Sequence, residues 1–307
     1  EDDPKAIFIS AFDTSPLGPD NDLVVKDEEQ NFQQGIDALK KLTSGKIHLN
    51  VNAKYPASKV FTNAKGVQLN KFAGPHPAGN VGTQINKIDP IGSGDKVWYI
   101  YPQDIITIGR LFKTGNYDAS KIIALTGSEV KKPQYFRLLR GASIENLIKD
   151  NVEKGELRYI SGNVLTGQKI SSEGYLGFFN DQITVIPEGN YYEFFGWAMP
   201  GFNKFSTSRS FFSWLRPNKK YRLDTNLHGG ERAYVISGEY EKVFPLDIYP
   251  VQLIKAIMIE DIELMEKLGI YEVDEEDFAL PEFVCTSKTP VQSYIRKGLD
   301  LMLEEMS

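Results

Sequence analysis

One loop of this 307-residue sequence has the residue types needed to bind a ligand through its backbone. The loop, residues 74–82, reads GPHPAGNVG and contains Gly74, His76, Gly79 and Gly82. Glycine lets a backbone turn sharply and approach a ligand closely, and a helix beginning after Gly79 would direct free N–H groups at an anion. The spacing matches neither a Walker loop nor the G-x-G-x-x-G fingerprint. The alternative is a rigid structural loop with two prolines, and spacing alone favours that alternative.

Other reactive side chains are few and scattered. The three histidines, His48, His76 and His228, are far apart, and Cys285 is the single cysteine. One thiol cannot hold an iron–sulfur cluster or a cysteine-based zinc site. The acidic run Asp274–Asp277 is typical of a solvated face. The sequence therefore predicts no catalytic residues and no metal site.

The most unusual stretch combines aromatic and basic residues. Ten aromatic residues occur within 191–214, and residues 191–222 contain six basic residues and one acidic residue. Three explanations remain open: a buried core segment, a segment lying at a membrane interface, or a surface that docks on a partner protein. Under the docking explanation, the candidate contact residues are Trp197, Phe202, Arg209 and Trp214.

Composition limits the classes of function. The formal net charge of -6 argues against a nucleic-acid platform, because phosphate binding needs a clear basic excess. No run approaches the roughly 20 apolar residues that span a bilayer. The sequence begins with Glu1 instead of methionine, so we expect a fragment of a longer protein.

Strand and helix patterns divide the chain into four predicted regions. Residues 1–116 alternate strands and helices, which is typical of a layered α/β domain. The predicted strands there are 5–10, 46–51, 58–62 and 95–101, and the predicted helices are 27–43 and 102–112. Residues 117–190 follow the strand, strand, helix, strand order of a β-grasp unit. Residues 191–240 form a connecting region, and residues 241–307 form a helical domain with helices at 250–268 and 290–306.

Long stretches of the chain resemble the NqrA family, one of the subunits of the Na+-translocating NADH:quinone reductase. The stretches that carry the resemblance are KFAGPHPAGNVGTQI (71–85), ISGNVLTGQ (160–168), GYLGFFNDQITVIPEG (174–189), FFGWAMPGFNKFSTSRSFFSWL (194–215), LDTNLHGGERAYVISGEYEKVFPLDIYPVQLIKAI (223–257) and LGIYEVDEEDFALPEFVCTSK (268–288). They cover most of the chain.

The resemblance implies a component of a translocase that couples NADH oxidation and ubiquinone reduction to Na+ export. Its partners would be the other subunits, especially the membrane subunit with the quinone site, and ubiquinone itself is an expected contact. The complex uses NADH, FAD, FMN, riboflavin, Fe–S centres and ubiquinone, whereas the NqrA subunit is expected to carry no cofactor. The resemblance places the chain on the cytoplasmic side of the bacterial inner membrane, as a peripheral subunit.

The same family is similar to the flavin-binding subunit of respiratory complex I. That similarity implies a Rossmann-like domain, a ubiquitin-like (SLBB-type) β-grasp domain and a C-terminal helical domain, in this order. The loop at 74–82 falls where those relatives hold flavin phosphate, so Gly74, His76, Gly79 and Gly82 are candidates for a vestigial flavin loop. The helical domain, with Cys285 alone, is expected to lack an Fe–S cluster. The alternative function is a stand-alone flavin- or soluble-ligand-binding protein that uses this loop.

Overall fold

The computed structural model describes residues 3–306, which form two β-sheets and a set of helices. The strands are β1 (Ala6–Ser10), β2 (Lys46–Asn52), β3 (Gln68–Phe72), β4 (Val97–Ile100), β5 (Ser120–Thr126), β6 (Gln134–Leu139), β7 (Leu157–Ser161), β8 (Gln168–Ile170) and β9 (Gln182–Pro187). The α-helices are α1 (Asn21–Val24), α2 (Glu29–Leu39), α3 (Lys59–Thr62), α4 (Val81–Ile88), α5 (Pro102–Thr114), α6 (Glu145–Ile148), α7 (Pro250–Met258), α8 (Ile262–Lys267), α9 (Ala279–Val284) and α10 (Val291–Met306). Short 3-10 helices occur at Phe212–Leu215, Ile270–Glu272 and Glu275–Phe278.

The first sheet is parallel and has the strand order β3-β2-β1-β4. All five residues of β1 are buried, because helices cover both faces of the sheet. Ile7 and Ile9 point into the core shared with α2 and α5. Phe8 lies on the opposite face with Val81 and Ile85 of α4. This N-terminal part of the chain is therefore a layered α/β domain, as the alternating pattern predicted.

Helices α2 and α5 pack against each other through glycine. Helix α5 begins at Pro102, where the missing N–H is harmless, and Gly115 in the left-handed conformation follows its last residue. A Cβ atom on Gly109 would lie 1.8 Å from the carbonyl oxygen of Asn31. A Cβ atom on Gly35 would lie 2.2 Å from the carbonyl oxygen of Ile105. The two backbones can approach this closely only because neither position carries a side chain.

The second sheet is mixed and has the strand order β6-β5-β9-β7-β8. Strands β5 and β9 run parallel, and the other neighbours run antiparallel. Gln103 of α5 joins this sheet to the α/β domain. Its amide donates to the carbonyl of Ile122 and accepts from the N–H of Ile122, both at 2.8 Å.

The C-terminal helices α7 to α10 surround their own core, to which Leu253, Ile254, Val291 and Ile295 contribute fully buried side chains. One continuous helix over 250–268 was predicted, and this prediction is wrong. Helix α7 ends at Met258, and the side chain of Asp261 caps the separate helix α8 by accepting from the Leu264 N–H. Within residues 3–306, no helix combines the length and apolar character needed to cross a membrane.

The predicted strand over 58–62 is also wrong. Ser58 begins a helical turn, α3, because its hydroxyl accepts a hydrogen bond from the N–H of Val60 at 3.3 Å. The third strand of the parallel sheet is instead β3, which the sequence pattern did not predict. Most of the side chains of β3 are exposed, so this edge strand lacks the apolar pattern that marks a buried one.

Candidate functional site

The loop at 74–82 lies at the edge of the parallel sheet where the strands end. Open α/β sheets usually bind ligands at this edge. Here the loop packs directly on Thr14, in the segment after β1. The Thr14 hydroxyl accepts from the Gly79 N–H at 2.9 Å and lies 3.1 Å from Nδ1 of His76. A Cβ atom on Gly79 would lie 2.7 Å from the Thr14 nitrogen, so the glycine serves close packing between two loops.

A chain of buried polar side chains holds the loop on the sheet. The Ser10 hydroxyl donates to the Gly79 carbonyl at 2.8 Å, and Gln84 Nε2 donates to Ser10 Oγ at 2.9 Å. Asn50 Nδ2 in turn donates to Gln84 Oε1 at 2.8 Å. Sequence reasoning missed this network. The signal was available, because Ser10 and Asn50 are polar residues in otherwise apolar strands, and buried polar groups need partners.

The four candidate residues of the loop have different surroundings. His76 and Gly79 meet at Thr14, whereas Gly74 is exposed. Gly82, in the first turn of α4, faces the C-terminal helices: a Cβ atom there would lie 3.0 Å from Oδ2 of Asp277. Burial lowers the pKa of His76, an effect that the nearby Asp13 charge opposes. The imidazole is therefore neutral at pH 7 and offers no positive charge to an anion.

Acidic groups of the second sheet and of the C-terminal helices lie near this edge of the parallel sheet. Burial raises the pKa of Asp181 to about 6, although the charge of Lys121 opposes the change. Burial also raises the pKa of Tyr101, and the charges of Glu276 and Asp181 add to that effect. In the described part of the chain, no three His, Cys, Asp or Glu side chains are grouped so that they could hold a metal ion.

Residues 191–222, here called the aromatic loop, lie on the surface. Nine of the ten aromatic residues within 191–214 are exposed, and Phe211 is half-buried. Trp197 is 80% exposed and Tyr192 is fully exposed. A core role for these nine side chains is therefore excluded. The four docking candidates all lie on this surface: Trp197, Phe202, Arg209 and Trp214.

Hydrogen bonds join the residues that precede the aromatic loop to the residues that follow it, beside the second sheet. The Gly189 N–H donates to the Thr225 hydroxyl at 2.8 Å, and the Tyr191 hydroxyl donates to Asp224 at 2.8 Å. Thr225 in turn donates to Glu188, just past the end of β9, at 2.8 Å. These hydrogen bonds hold both ends of the loop next to β9, so its exposed aromatic side chains project from beside the second sheet.

A buried carboxylate provides a further anchor for the aromatic loop. Arg222 donates from Nε and from one terminal nitrogen to the two carboxylate oxygens of Glu129, both at 2.6 Å. Glu129 is 1% exposed, whereas the Arg222 side chain is 66% exposed. The two hydrogen bonds from Arg222 lower the pKa of Glu129. The pair therefore ties the end of the loop to the turn after β5.

Replacing Arg222 by glutamine should release this end of the loop. We expect the free energy of unfolding to fall by about 2 kcal/mol, because a buried carboxylate loses a bidentate partner that is itself mostly solvated. Trypsin should also cleave within residues 191–222 faster than in the parent. The matched control is Lys242→Gln, which removes an exposed ion pair with Glu239 and should cost at most about 0.5 kcal/mol. Equal cleavage rates for both variants would contradict the anchoring role.

The fold and these sites define a class of protein: a layered α/β domain joined to a mixed sheet and a helical unit, with an anchored aromatic surface. The family model described as "NqrA second alpha/beta domain" matches residues 1–117, and the "NQRA C-terminal domain" model, of SLBB type, matches residues 122–172.

Individual relatives give the same assignment. The NqrA subunit of the Na(+)-translocating NADH-quinone reductase of Rhodopirellula baltica is 42% identical over 307 residues, 99% of this chain and 67% of that protein. The corresponding subunit of Pasteurella multocida is 41% identical over 305 residues, with 98% and 67% covered. The chain therefore belongs to the NqrA family of Na(+)-translocating NADH-quinone reductase subunits.

Proposed function

We propose that the chain acts as the NqrA subunit of a Na+-translocating NADH:ubiquinone reductase, a complex that couples NADH oxidation and ubiquinone reduction to Na+ export. The identity of 42% across 99% of the chain carries this proposal. Co-expression with the remaining subunits tests it. Membranes from such cells should show Na+-dependent NADH:quinone reductase activity, and omission of this chain should abolish that activity.

Within the complex, we propose a structural role without a redox centre in this chain. The only thiol, Cys285, is buried and accepts a hydrogen bond from the Tyr240 hydroxyl at 3.0 Å, which suits a packed side chain better than a ligand. The network from Ser10 to Gln84 fixes the 74–82 loop against the sheet and supports its interpretation as vestigial. NADH, flavins, Fe–S centres and ubiquinone would then act at other subunits, with this chain taking at most a share in handling quinone.

We also propose the finer fold assignments and domain limits. The parallel order β3-β2-β1-β4 supports a Rossmann-like domain over residues 1–116. The spatial order β6-β5-β9-β7-β8 supports a ubiquitin-like β-grasp over 117–190. Helix α6 lies between β6 and β7 along the chain, as the strand, strand, helix, strand order requires. Residues 191–240 would then be the connecting region, and 241–307 a helical domain without an Fe–S cluster.

The aromatic loop is our proposed docking surface for the membrane part of the complex, above all for the membrane subunit that holds the quinone site. Exposed aromatic and arginine side chains are the residues that dominate interface energies. Docking there would place the chain at the cytoplasmic side of the inner membrane as a peripheral subunit. Trp197, Phe202, Arg209 and Trp214 are the proposed contact residues.

Titration with two ligands separates this proposal from the stand-alone flavin-binding alternative. The purified chain should be colourless, and FMN should cause no saturable change in its absorption or fluorescence. A short-chain ubiquinone should quench the fluorescence of Trp98, Trp197 or Trp214 saturably if the chain takes part in quinone handling. Bound or saturable flavin would instead show that the 74–82 loop is a working cofactor site.

A further inference from the structure

The helical unit meets the α/β domain through its acidic segment. Asn86 of α4 donates to Glu272 at 2.9 Å. The carboxylate of Asp277 lies against Gly82, where a Cβ atom would be 3.0 Å from Oδ2. The backbone N–H of Gly82 also faces the Glu276 carboxylate and favours its charged form. Two carboxyl groups of one segment thus sit on the first turn of α4.

These carboxyl groups have little positive charge to balance them. The groups that raise the pKa of Glu276 electrostatically are Asp274 and Asp277 on its own segment and Asp13 from the segment after β1. Tyr101, the residue before α5, faces the same groups: burial raises its pKa, and the charge of Glu276 adds to that effect. In the helical unit, Arg296 pairs with the neighbouring Glu275 at 3.1 Å and with Asp300. Helix α4 contributes the backbone N–H of Gly82 to this contact.

The two oxygens of the Asp277 carboxyl group have different hydrogen-bond partners. Oδ2 accepts a hydrogen bond from the Asp274 N–H at 3.0 Å. Oδ1 is buried and has no hydrogen-bond partner among the described residues, and the side chain as a whole is 2% exposed. An ionised carboxylate with a buried, unpartnered oxygen is costly, so this position favours the neutral acid.

We propose that this contact is a proton-controlled latch between the α/β domain and the helical unit. When Glu276 and Asp277 are protonated, they seat on the first turn of α4 and hold the two units together. When both ionise, their charges repel each other and those of Asp13 and Asp274, and the contact loosens. The latch would change the accessibility of α4 and the adjoining 74–82 loop without any ligand.

The direction of the pH effect follows from the pKa changes. Burial raises the pKa of Glu276 from its usual 4.5 to about 8 and the pKa of Asp277 from 3.8 to about 7. The folded state therefore keeps protons that the unfolded chain has released, so stability falls as pH rises through this range. The stabilising contribution is complete below about pH 4, and it is lost as the pH passes through 7 to 8.

Hydrogen exchange at α4 tests the latch. We expect protection of the amides over residues 82–86, corrected for the intrinsic exchange rate, to fall at least about tenfold between pH 6 and pH 9, since each pKa unit of differential protonation is a factor of ten. The double variant Glu276→Gln, Asp277→Asn mimics the protonated latch and should keep its protection at pH 9. The matched control is Glu263→Gln on α8, which should behave like the parent.

Two results would overturn the latch. One is protection of α4 in the parent that does not change between pH 6 and pH 9. The other is an equal loss of protection in the parent and the double variant. If the double variant does not fold, the single variant Glu276→Gln should still show less than half of the parent's logarithmic change, and a full change would reject the role of Glu276. These readouts need no other subunit, so they stand independently of the proposed role in the reductase.

Discussion

Replacing Gly109 with alanine is expected to lower the free energy of unfolding by about 3 kcal/mol. The added methyl group would lie 1.8 Å from the Asn31 carbonyl oxygen, which belongs to a helix backbone and cannot rotate away. Alanine favours a helix over glycine by about 1 kcal/mol, but forcing α2 and α5 apart would also loosen the core around Phe32 and Ile105. Chemical denaturation of the purified chain measures the change.

The control for Gly109 is Gly92→Ala, because no atom lies within 4 Å of a Cβ atom at that position. That variant should differ from the parent by less than about 0.5 kcal/mol. Gly35→Ala should resemble Gly109→Ala, since its Cβ atom would lie 2.2 Å from the Ile105 carbonyl oxygen. A Gly109→Ala variant as stable as the parent would mean that α2 and α5 lie further apart than these distances indicate.

Local sequence patterns predicted the α/β domain well because its central elements are buried and regular. The run at β1 is buried along its whole length, and α5 has proline at its start and glycine just past its end. The pattern failed at the sheet edge. Strand β3 is largely exposed, so neither an alternating nor a continuous apolar run marks it. The apolar residues of 58–62 suggested a strand, but the Ser58 side chain caps a helical turn there.

The candidate site was harder to predict because its contacts join distant parts of the chain. The glycines of the 74–82 loop indicated close backbone approach, and the structure shows such an approach at Gly79, but to Thr14 of the same chain. The pairing of Gly82 with Asp277 joins residues that are far apart in the sequence, and no local pattern encodes it. The acidic run Asp274–Asp277 has the composition of a solvated face, yet Asp277 is buried.

The aromatic loop illustrates a different limit. Its composition suggested a core segment, a membrane-interface segment or a docking surface, because large apolar side chains serve all three. Exposure of nine aromatic side chains excludes the first. Ring contacts join Phe194, Phe195 and Trp197 into one exposed cluster, and exposed apolar clusters often mark a surface that another molecule covers. The hydrogen bond between Gly189 and Thr225, which flank the loop, holds its two ends together. We therefore favour the docking surface of the two remaining explanations.

Substituting both Trp197 and Trp214 with alanine should therefore prevent stable assembly. Aromatic residues at the centre of an interface typically contribute about 2 kcal/mol or more each, so the loss of two should weaken docking by well over tenfold. Affinity purification of the co-expressed reductase through a membrane subunit should recover correspondingly less of this chain. Because Trp197 is 80% exposed and Trp214 49% exposed, the isolated variant should stay folded, with a thermal stability close to that of the parent.

The matched control is the double variant Tyr55→Ala, Phe112→Ala, which removes two aromatic side chains that are 61% and 66% exposed outside the loop. It should assemble like the parent. Arg209→Glu should weaken assembly chiefly at low salt, since screening reduces the effect of an exposed charge. Full recovery of the tryptophan variant would reject the loop as the docking surface, and so would an equal loss in both double variants. If only the tryptophan variant is lost from the purified complex, Trp197 and Trp214 contribute most of the binding energy, and the aromatic loop is the surface that docks.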